Sequence, residues 1–214
     1  NTNTFNQSSM TDETQQRKLL QLDYVYPIDK NTQFELGYRG NFSDLNTDYN
    51  VLDIRNNVTT INLNLSNIFI FSQDVNAYYT QFGKKINKFS YLLGLRAETT
   101  NLQFNQKTSQ ESNQKKYTNL FPTVNLSYEF SNYENITLGY SRRIRRPRSW
   151  SLNPFQSITS LTFFRQGNPD LDPSYSNSYD LGYLKKIKKF TFSGSVYFQK
   201  ETDVIQRITE ETGE

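Results

Sequence analysis

The sequence predicts an all-β fold, an antiparallel up-and-down transmembrane β-barrel to which this chain contributes about eight strands. Apolar and polar residues alternate with a period of two in one segment after another, which is the spacing of a strand with two different faces. The chain contains 15 Tyr and 16 Phe, and these aromatic residues favour strands and membrane interfaces. The connections between the segments alternate between short and long, as they do in outer-membrane barrels.

The alternation is regular in seven segments and weaker in one. In the second segment, Phe34, Leu36 and Tyr38 share one face. The irregular segment, 73–83, carries apolar residues on both faces, and its position between two clear strands supports a strand there. In chain order, the predicted strands are 17–27, 31–40, 73–83, 88–104, 117–130, 134–143, 175–185 and 189–200.

The connections predict which end of each strand faces the cell exterior. Short turns are expected at 27–31, 84–88, 131–134 and 185–189, and long loops at 41–72, 105–116 and 144–174. Outer-membrane barrels place short turns on the periplasmic side and long loops outside. Residues 1–16 and 209–214 are polar and are expected to be remnants of further loops, so that the barrel segment is 17–208.

Composition argues against several function classes. No run of about 20 apolar residues is present for a spanning helix. The chain has no His and no Cys, which removes the usual general base, the Ser-His-Asp arrangement and most zinc sites. We therefore expect neither an enzyme nor a metal or cofactor site.

Charged residues on the polar faces of the strands are expected to point into the barrel lumen. One interpretation is that they contact a solute or a domain inside the barrel, and the other is that they pair with one another and hydrate the wall. These lumen-facing charges are Glu35, Arg39, Arg96, Glu98, Glu129 and Asp180.

Five arginines occur within eight residues where a strand enters the longest loop. At an external rim they are candidates for binding an anionic solute or lipopolysaccharide; alternatively, they pair with loop acids and extend along the rim. No basic face continues beyond the run, so nucleic acid is not an expected partner. The rim candidates are Arg142, Arg143, Arg145, Arg146, Arg148 and Trp150.

Several motifs resemble the C-terminal barrel half of TonB-dependent outer-membrane receptors. They are Asn119-Leu120-Phe121-Pro122, the arginine run ending at Pro147, Leu152-Asn153-Pro154-Phe155, Gly167-Asn168-Pro169-Asp170-Leu171 and Ser178-Tyr179-Asp180-Leu181-Gly182. The resemblance covers roughly residues 72–200. Within it, Pro147, Asn153, Pro154, Gly167, Asn168 and Pro169 are interpreted as loop architecture, because Gly permits a turn and Pro stiffens the chain.

The resemblance implies about eight strands of a barrel of about 22, in the bacterial outer membrane. It implies import of a scarce solute such as a metal chelate, vitamin, glycan or peptide. The implied partners are outer-membrane lipid and lipopolysaccharide, a plug domain of the same protein, an inner-membrane energy-coupling protein and a surface lipoprotein. The chain itself carries no plug and too few strands, so we expect it to be a portion of such a barrel.

Two other interpretations stay open at this stage. Eight strands can close into a barrel alone, which would make the chain an autonomous adhesin or anchor. A soluble β-sandwich that binds glycans through exposed aromatic residues would show the same alternation.

Overall fold

The computed structural model describes residues 5–56, 58–160 and 163–211. Its main feature is one antiparallel sheet in which eight long strands follow one another in the order β1-β2-β4-β5-β6-β7-β10-β11. The strands of this path are β1 (Phe5–Asp29), β2 (Thr32–Arg55), β4 (Asn67–Ile86), β5 (Phe89–Gln106), β6 (Glu111–Ser131), β7 (Glu134–Arg145), β10 (Ser174–Ile187) and β11 (Phe190–Thr202). Each pairs with its neighbour in the chain's own order, which confirms the predicted up-and-down, all-β topology.

Smaller elements lie beside this path. The short strand β3 (Val58–Ile61) extends β2, and β8 (Ser157–Ser160) pairs with β9 (Phe163–Arg165) in a separate hairpin. A single helical turn, α1 (Ser149–Leu152), follows β7. Among the described residues, no helix is long and apolar enough to cross a membrane.

The sheet is open in the described chain, because β1 and β11 form its two edges and do not pair with each other. It also differs from a sandwich, since the other sheet among the described residues is the two-stranded β8-β9 hairpin. The β-sandwich interpretation therefore finds no support in the fold.

The two faces of the sheet have different compositions. The outer face, defined by Leu36, Leu95, Leu138 and Leu181, is apolar along the lower part of every strand, and these four leucines are exposed. The inner face, defined by Glu35, Arg96 and Asp180, is polar over the same height. Because alternate residues of a strand point to opposite faces, the cross-strand register carries this division through all eight strands.

The register also shows that the strands are staggered as in a barrel wall. Tyr26 on β1 lies close to its short turn, whereas Phe198 on β11 lies eight residues beyond the start of its strand. Both belong to one row of cross-strand partners, which runs Tyr26, Phe34, Phe82, Leu93, Val124, Tyr140, Tyr179 and Phe198. A steady shift of this kind is the shear that accompanies strand tilt in barrels.

Four two-residue turns join the strands at the lower end. The second turn contains Asn87 with a φ of 53°, a left-handed conformation that Asn tolerates. Backbone hydrogen bonds join each turn to the next hairpin, from Lys85 N to Asn31 O, Glu129 N to Lys88 O and Lys186 N to Tyr133 O. The short turns thus form one continuous rim.

At the other end the strands run well beyond the expected membrane. Residues 5–16, predicted to be a loop remnant, belong to β1. Much of the predicted loop 41–72 belongs to β2 and β4, and within 105–116 only residues 107–110 lie between strands. The reason is that the apolar side changes above the membrane, where buried Leu45, Phe71 and Phe104 point inward. A prediction based on outward-facing apolar residues therefore ends these strands too early.

The segment between β7 and β10 is the exception to this extension. In its described residues, 146–160 and 163–173, it contains only α1 and the strands β8 and β9, as a long connection should. Residues 203–211 form no strand. The remaining residues of the predicted terminal loops, 1–4 and 212–214, lie outside the described residues.

Candidate functional site

The candidate site is the inner face of the sheet together with the 146–173 segment that folds over its upper part. It has three components, which are a polar row across β1 to β5, an ion-paired cluster around Glu98, and an apolar cluster that anchors the segment. Each component follows from the alternation of side chains along the strands.

The central side chain of the polar row is Tyr79, whose ring lies along the inner wall. Asp23, Gly37, Tyr79 and Arg96 are cross-strand partners on four successive strands. A Cβ at Gly37 would lie 2.3 Å from the Tyr79 ring, so glycine is the residue that lets the ring cross β2. The Tyr79 hydroxyl then donates a hydrogen bond to Asp23 on β1.

Arg96 connects this row to the ion-paired cluster. Its guanidinium carbon lies 5.4 Å from the centre of the Tyr79 ring, a cation–π distance. Its Nε donates to Glu98 Oε1 at 2.6 Å. Arg39 lies on the same face, and its buried Nε has no hydrogen-bond partner among the described residues.

Glu98 is the most buried charge of the inner face, with 8% of its surface exposed. Besides Arg96, it accepts a hydrogen bond from Arg146 Nη2, at 2.5 Å. Arg146 also donates to Thr100 Oγ1, from Nε at 3.1 Å and from Nη2 at 2.9 Å. One carboxylate therefore holds two arginines, one from the wall and one from the long segment.

An apolar cluster holds the rest of the segment against the wall. Leu152 of α1 is fully buried among inner-face side chains, and Leu171 packs against the same cluster. The wall contributes Leu45, Phe69, Phe71, Leu102 and Phe104. Lys115 on β6 adds a polar clasp, donating to the carbonyl oxygens of Asp170 at 2.7 Å and Leu171 at 3.1 Å.

Three of the six loop-architecture residues, Asn153, Gly167 and Asn168, lie where two parts of this segment meet. Gly167 N donates to Asn153 O and Asn168 N to Ser151 O, each at 2.8 Å. A Cβ on Gly167 would lie 2.6 Å from Ser151 O, so the two parts of the segment approach too closely for another residue. Pro147 is buried, Pro154 is half-buried, and Pro169 lies between Asn168 and Asp170, whose backbone N donates to Asn168 Oδ1 at 2.9 Å.

The structure separates the residues of the arginine run. Arg146 turns inward to Glu98, whereas the Arg142 guanidinium carbon lies 4.9 Å from the centre of the Tyr175 ring. Arg143, Arg145 and Arg148 are exposed. Trp150 is exposed as well, and Arg165 lies over its ring at 5.6 Å. The run therefore does not form one common site.

The other predicted lumen charges have different partners. Glu129 pairs with Lys85 at 2.8 Å near the short turns, and Glu35 accepts amide hydrogen bonds from Gln33 and Gln81. Asp180 is exposed and lies across Gly139 on β7. Within the described parts of the chain, neither Arg39 nor Asp180 forms an ion pair.

Sequence reasoning missed Tyr79, Thr100, Lys115 and the apolar cluster. Thr100, Leu102 and Phe104 lie on the same face of β5 as Glu98, at every second residue. Continuing the inner face along this strand would have predicted part of this set. Tyr79 gave no signal of its own, because its role depends on Gly37 on the neighbouring strand. Among residues 5–56, 58–160 and 163–211, no group of three or more Asp or Glu side chains is placed to hold a metal ion.

Comparisons with known proteins give a family and a fold. The sequence matches the family described as outer membrane protein beta-barrel family over residues 1–214. The structure is similar to the ferric citrate transporter FecA in its unliganded form, with a TM-score of 0.62 and 10% identity, covering 90% of this chain and 28% of that one. It is also similar to the ferric yersiniabactin uptake receptor FyuA from Yersinia pestis, with a TM-score of 0.60 and 10% identity, covering 92% and 30%.

The chain spans less than a third of the length of either transport protein, and 10% identity establishes the fold alone. No curated protein matches the sequence.

Proposed function

Because this chain belongs to the outer membrane protein beta-barrel family, we propose that it forms part of the wall of a larger bacterial outer-membrane barrel that imports a scarce solute. The candidate solutes are metal chelates, vitamins, glycans and peptides. The observation that carries the proposal is the folding of 146–173 over a polar inner face, at the end opposite the short turns. A barrel that serves only as an anchor needs no such structured entrance.

Three features support a wall rather than a complete barrel. β1 and β11 are unpaired edges in the described chain, and edge strands favour further pairing. The inner face also carries Arg39 and Asp180 without ion pairs among the described residues, as expected of a wall that faces another polar surface. Finally, the similar barrels are more than three times as long.

The proposed partners follow from this role. Inside the barrel, a plug domain of the same protein would face Arg39 and Asp180. An inner-membrane energy-coupling protein would act on that plug, and a surface lipoprotein would contact the loops outside. The exposed rim candidates Arg143, Arg145, Arg148 and Trp150 would face solute or the lipoprotein at the entrance. No catalytic step is part of the proposal.

Uptake by the intact protein tests the proposal. A strain lacking the gene and a complemented strain are given radiolabelled ferric citrate, cobalamin, an oligosaccharide and a peptide, with and without a protonophore. We expect the complemented strain alone to accumulate one class, and the protonophore to abolish that accumulation. Ferric chelates are tested first, because the two similar barrels are named for them.

The alternative of an autonomous adhesin or anchor makes the opposite prediction. Residues 1–214 refolded in detergent would then form a closed monomer with heat-modifiable migration, and the deletion would leave uptake unchanged. That pair of results, with the complemented protein present at the cell surface, would overturn the transport proposal.

A further inference from the structure

We propose that the upper edge of β6, residues 112–120, binds an extended, acidic segment of a partner protein at the cell surface, which adds to the sheet as a further strand. The proposal depends on the outer-membrane location of the chain and is independent of solute import. It is based on a stretch of unpaired backbone within the sheet and on the positive charge on both sides of it.

The strands β6 and β7 separate in their upper parts. Their pairing ends at Thr123 and Ser141, whereas β6 continues to Glu111 and stays paired with β5 over that length. Pro122 explains the end of the β6-β7 ladder, because proline has no N–H to donate to a neighbouring strand. Above Pro122, β6 therefore has a partner strand on one side and a free edge on the other.

The backbone groups of this free edge can be assigned from the β5 side. Glu129 N donates to Lys88 O at 2.8 Å, and the register between β5 and β6 is continuous from Tyr128 to Glu111. Because successive residues of a strand direct their backbone groups to opposite edges, the odd-numbered residues of β6 bond to β5. The free edge presents the N–H and C=O groups of Ser112, Gln114, Lys116, Thr118 and Leu120. Among the described residues, no backbone hydrogen bond outside the strand pairs reaches them.

The 146–173 segment contacts this part of β6 from the lumen side. Lys115, which donates to the carbonyl oxygens of Asp170 and Leu171, is the cross-strand partner of inner-face Leu102. The outward side chains of the same stretch are exposed, as at Thr118. An incoming strand can therefore approach the edge from outside the barrel.

Basic residues lie on both sides of the gap between β6 and β7. The free edge carries two lysines and no acidic residue, and the run 142–148 carries five arginines and no acidic residue. Three of these arginines, Arg143, Arg145 and Arg148, are exposed, as is Lys116. None of the four belongs to an ion pair among the described residues. Acidic side chains on the added strand would complement this charge.

The height of the free edge favours a partner at the cell surface. Leu120 lies 11 residues before Ser131, the last residue of β6. At about 3.3 Å per residue and about 40° of tilt, this distance rises about 28 Å, more than the apolar band of about 25 Å. The edge thus lies above the lipid, and it belongs to the wall and not to the lumen through which a solute would pass.

The other internal strand pairs of the described sheet stay paired toward their upper ends. Pairing of β4 with β5 reaches Phe69 and Gln106, and pairing of β7 with β10 reaches Arg145 and Ser174. Gln103 on β5 is exposed and has partner strands on both sides. This residue provides a matched control position outside the free edge.

Photo-crosslinking of the full-length protein in living cells tests the inference. The probe is p-benzoylphenylalanine, introduced as Thr118→p-benzoylphenylalanine at the free edge and as Gln103→p-benzoylphenylalanine at the control position. Mass spectrometry identifies the crosslinked peptide. We expect position 118 to crosslink to an acidic segment of one partner protein, and position 103 to give little of that product.

A synthetic peptide with the crosslinked sequence then tests the mode of binding. Its affinity for the intact purified protein is measured by fluorescence anisotropy, together with two versions that are N-methylated on alternate amides. Because an added strand bonds β6 through one edge, one methylated version should lose about tenfold in affinity and the other much less. Thr118→Pro removes one free N–H and should weaken binding by about five- to tenfold, whereas Thr118→Val keeps it.

Three outcomes would overturn the inference. They are equal or absent crosslinking at the two positions, crosslinking to the protein's own chain or to a second copy of it, and equal binding of the two methylated peptides. Heat-modifiable migration checks the folding of each variant. If Thr118→Pro does not fold, Gln114→Pro, which removes another N–H of the same edge, must show the loss.

Discussion

Arg146 and Glu98 join the long segment to the barrel wall through a charged hydrogen bond of 2.5 Å between Nη2 and Oε2. The two residues lie 48 positions apart in the sequence and belong to different parts of the molecule. Because Glu98 is buried and also holds Arg96, this contact connects the position of the 146–173 segment to the polar row of the inner face.

Replacing Arg146 should loosen the segment without unfolding the barrel. Arg146→Gln removes a charge-assisted hydrogen bond worth about 1.5–3 kcal/mol, so local opening of 146–173 should become at least tenfold more frequent. Hydrogen exchange measured by mass spectrometry on peptides from 149–171 would detect this, with β5 peptides nearly unchanged. Arg148→Gln is the matched control, because Arg148 is exposed; equal exchange in both variants would contradict the anchoring role.

The fluorescence of the single Trp should report the same event. Trp150 belongs to α1, and Arg165 lies 5.6 Å from its ring. Release of the segment in Arg146→Gln should change both the emission maximum and the access of iodide to the ring. An unchanged Trp150 signal alongside faster exchange would place the opening in the β8-β9 part of the segment instead.

The fit of Tyr79 over Gly37 should make this glycine unusually sensitive. Gly37→Ala would place a Cβ 2.3 Å from the Tyr79 ring, and overpacking typically costs about 1–3 kcal/mol. Urea unfolding in lipid vesicles should show that cost. Gly94→Ala is the control, since its nearest neighbour, Thr123 Cβ, lies at an ordinary 3.6 Å.

A double variant tests whether the cost of Gly37→Ala comes from its contact with the Tyr79 ring. When Tyr79→Ala removes the ring, Gly37→Ala should add little further destabilisation. Additive losses from the two substitutions would show that the ring is not what Gly37 accommodates.

These contacts show where sequence reasoning reaches its limit. The eight strands follow from a local period of two, as at Phe34, Leu36 and Tyr38, because a strand between lipid and a polar lumen must alternate. The Arg146–Glu98 contact has no such local cause, since it joins the residue just after β7 to a residue of β5 that lies 48 positions earlier in the sequence. The extension of β2 and β4 was missed because Leu45 and Phe71 face inward above the membrane, opposite to the pattern below it.

An arginine should destabilise the barrel more on the outer face of β5 than on its inner face. Leu93 faces outward and Leu92 inward, near the middle of the expected membrane band. Leu93→Arg should destabilise the folded barrel by about 2–4 kcal/mol, because lipid cannot solvate the guanidinium. Leu92→Arg should cost much less, since its side chain enters the polar lumen. Urea unfolding in vesicles measures both, and equal losses would contradict the assignment of the faces.

Acid should weaken the rim of short turns through Glu134. At the start of β7, outside the spanning part of the strand, the Tyr183 hydroxyl donates to Glu134 at 2.5 Å, and Lys185 lies 3.2 Å away. The Tyr183 hydrogen bond, followed by Lys185, lowers the pKa of the Glu134 carboxyl in the folded protein. A lowered folded-state pKa means that this stabilisation is fully present above the unfolded pKa, about 4.3, and is lost as pH falls through the folded value.

The stability difference between wild type and Glu134→Gln should therefore depend on pH. Between pH 7 and pH 5 the urea midpoint of the variant should lie below that of wild type by a constant amount, and the difference should shrink below about pH 4. A parallel series with Tyr183→Phe removes the principal hydrogen bond while keeping the carboxylate, and its difference from wild type should shrink over the same range. A difference that stays constant down to pH 3 would show that the Glu134 carboxylate does not stabilise this rim.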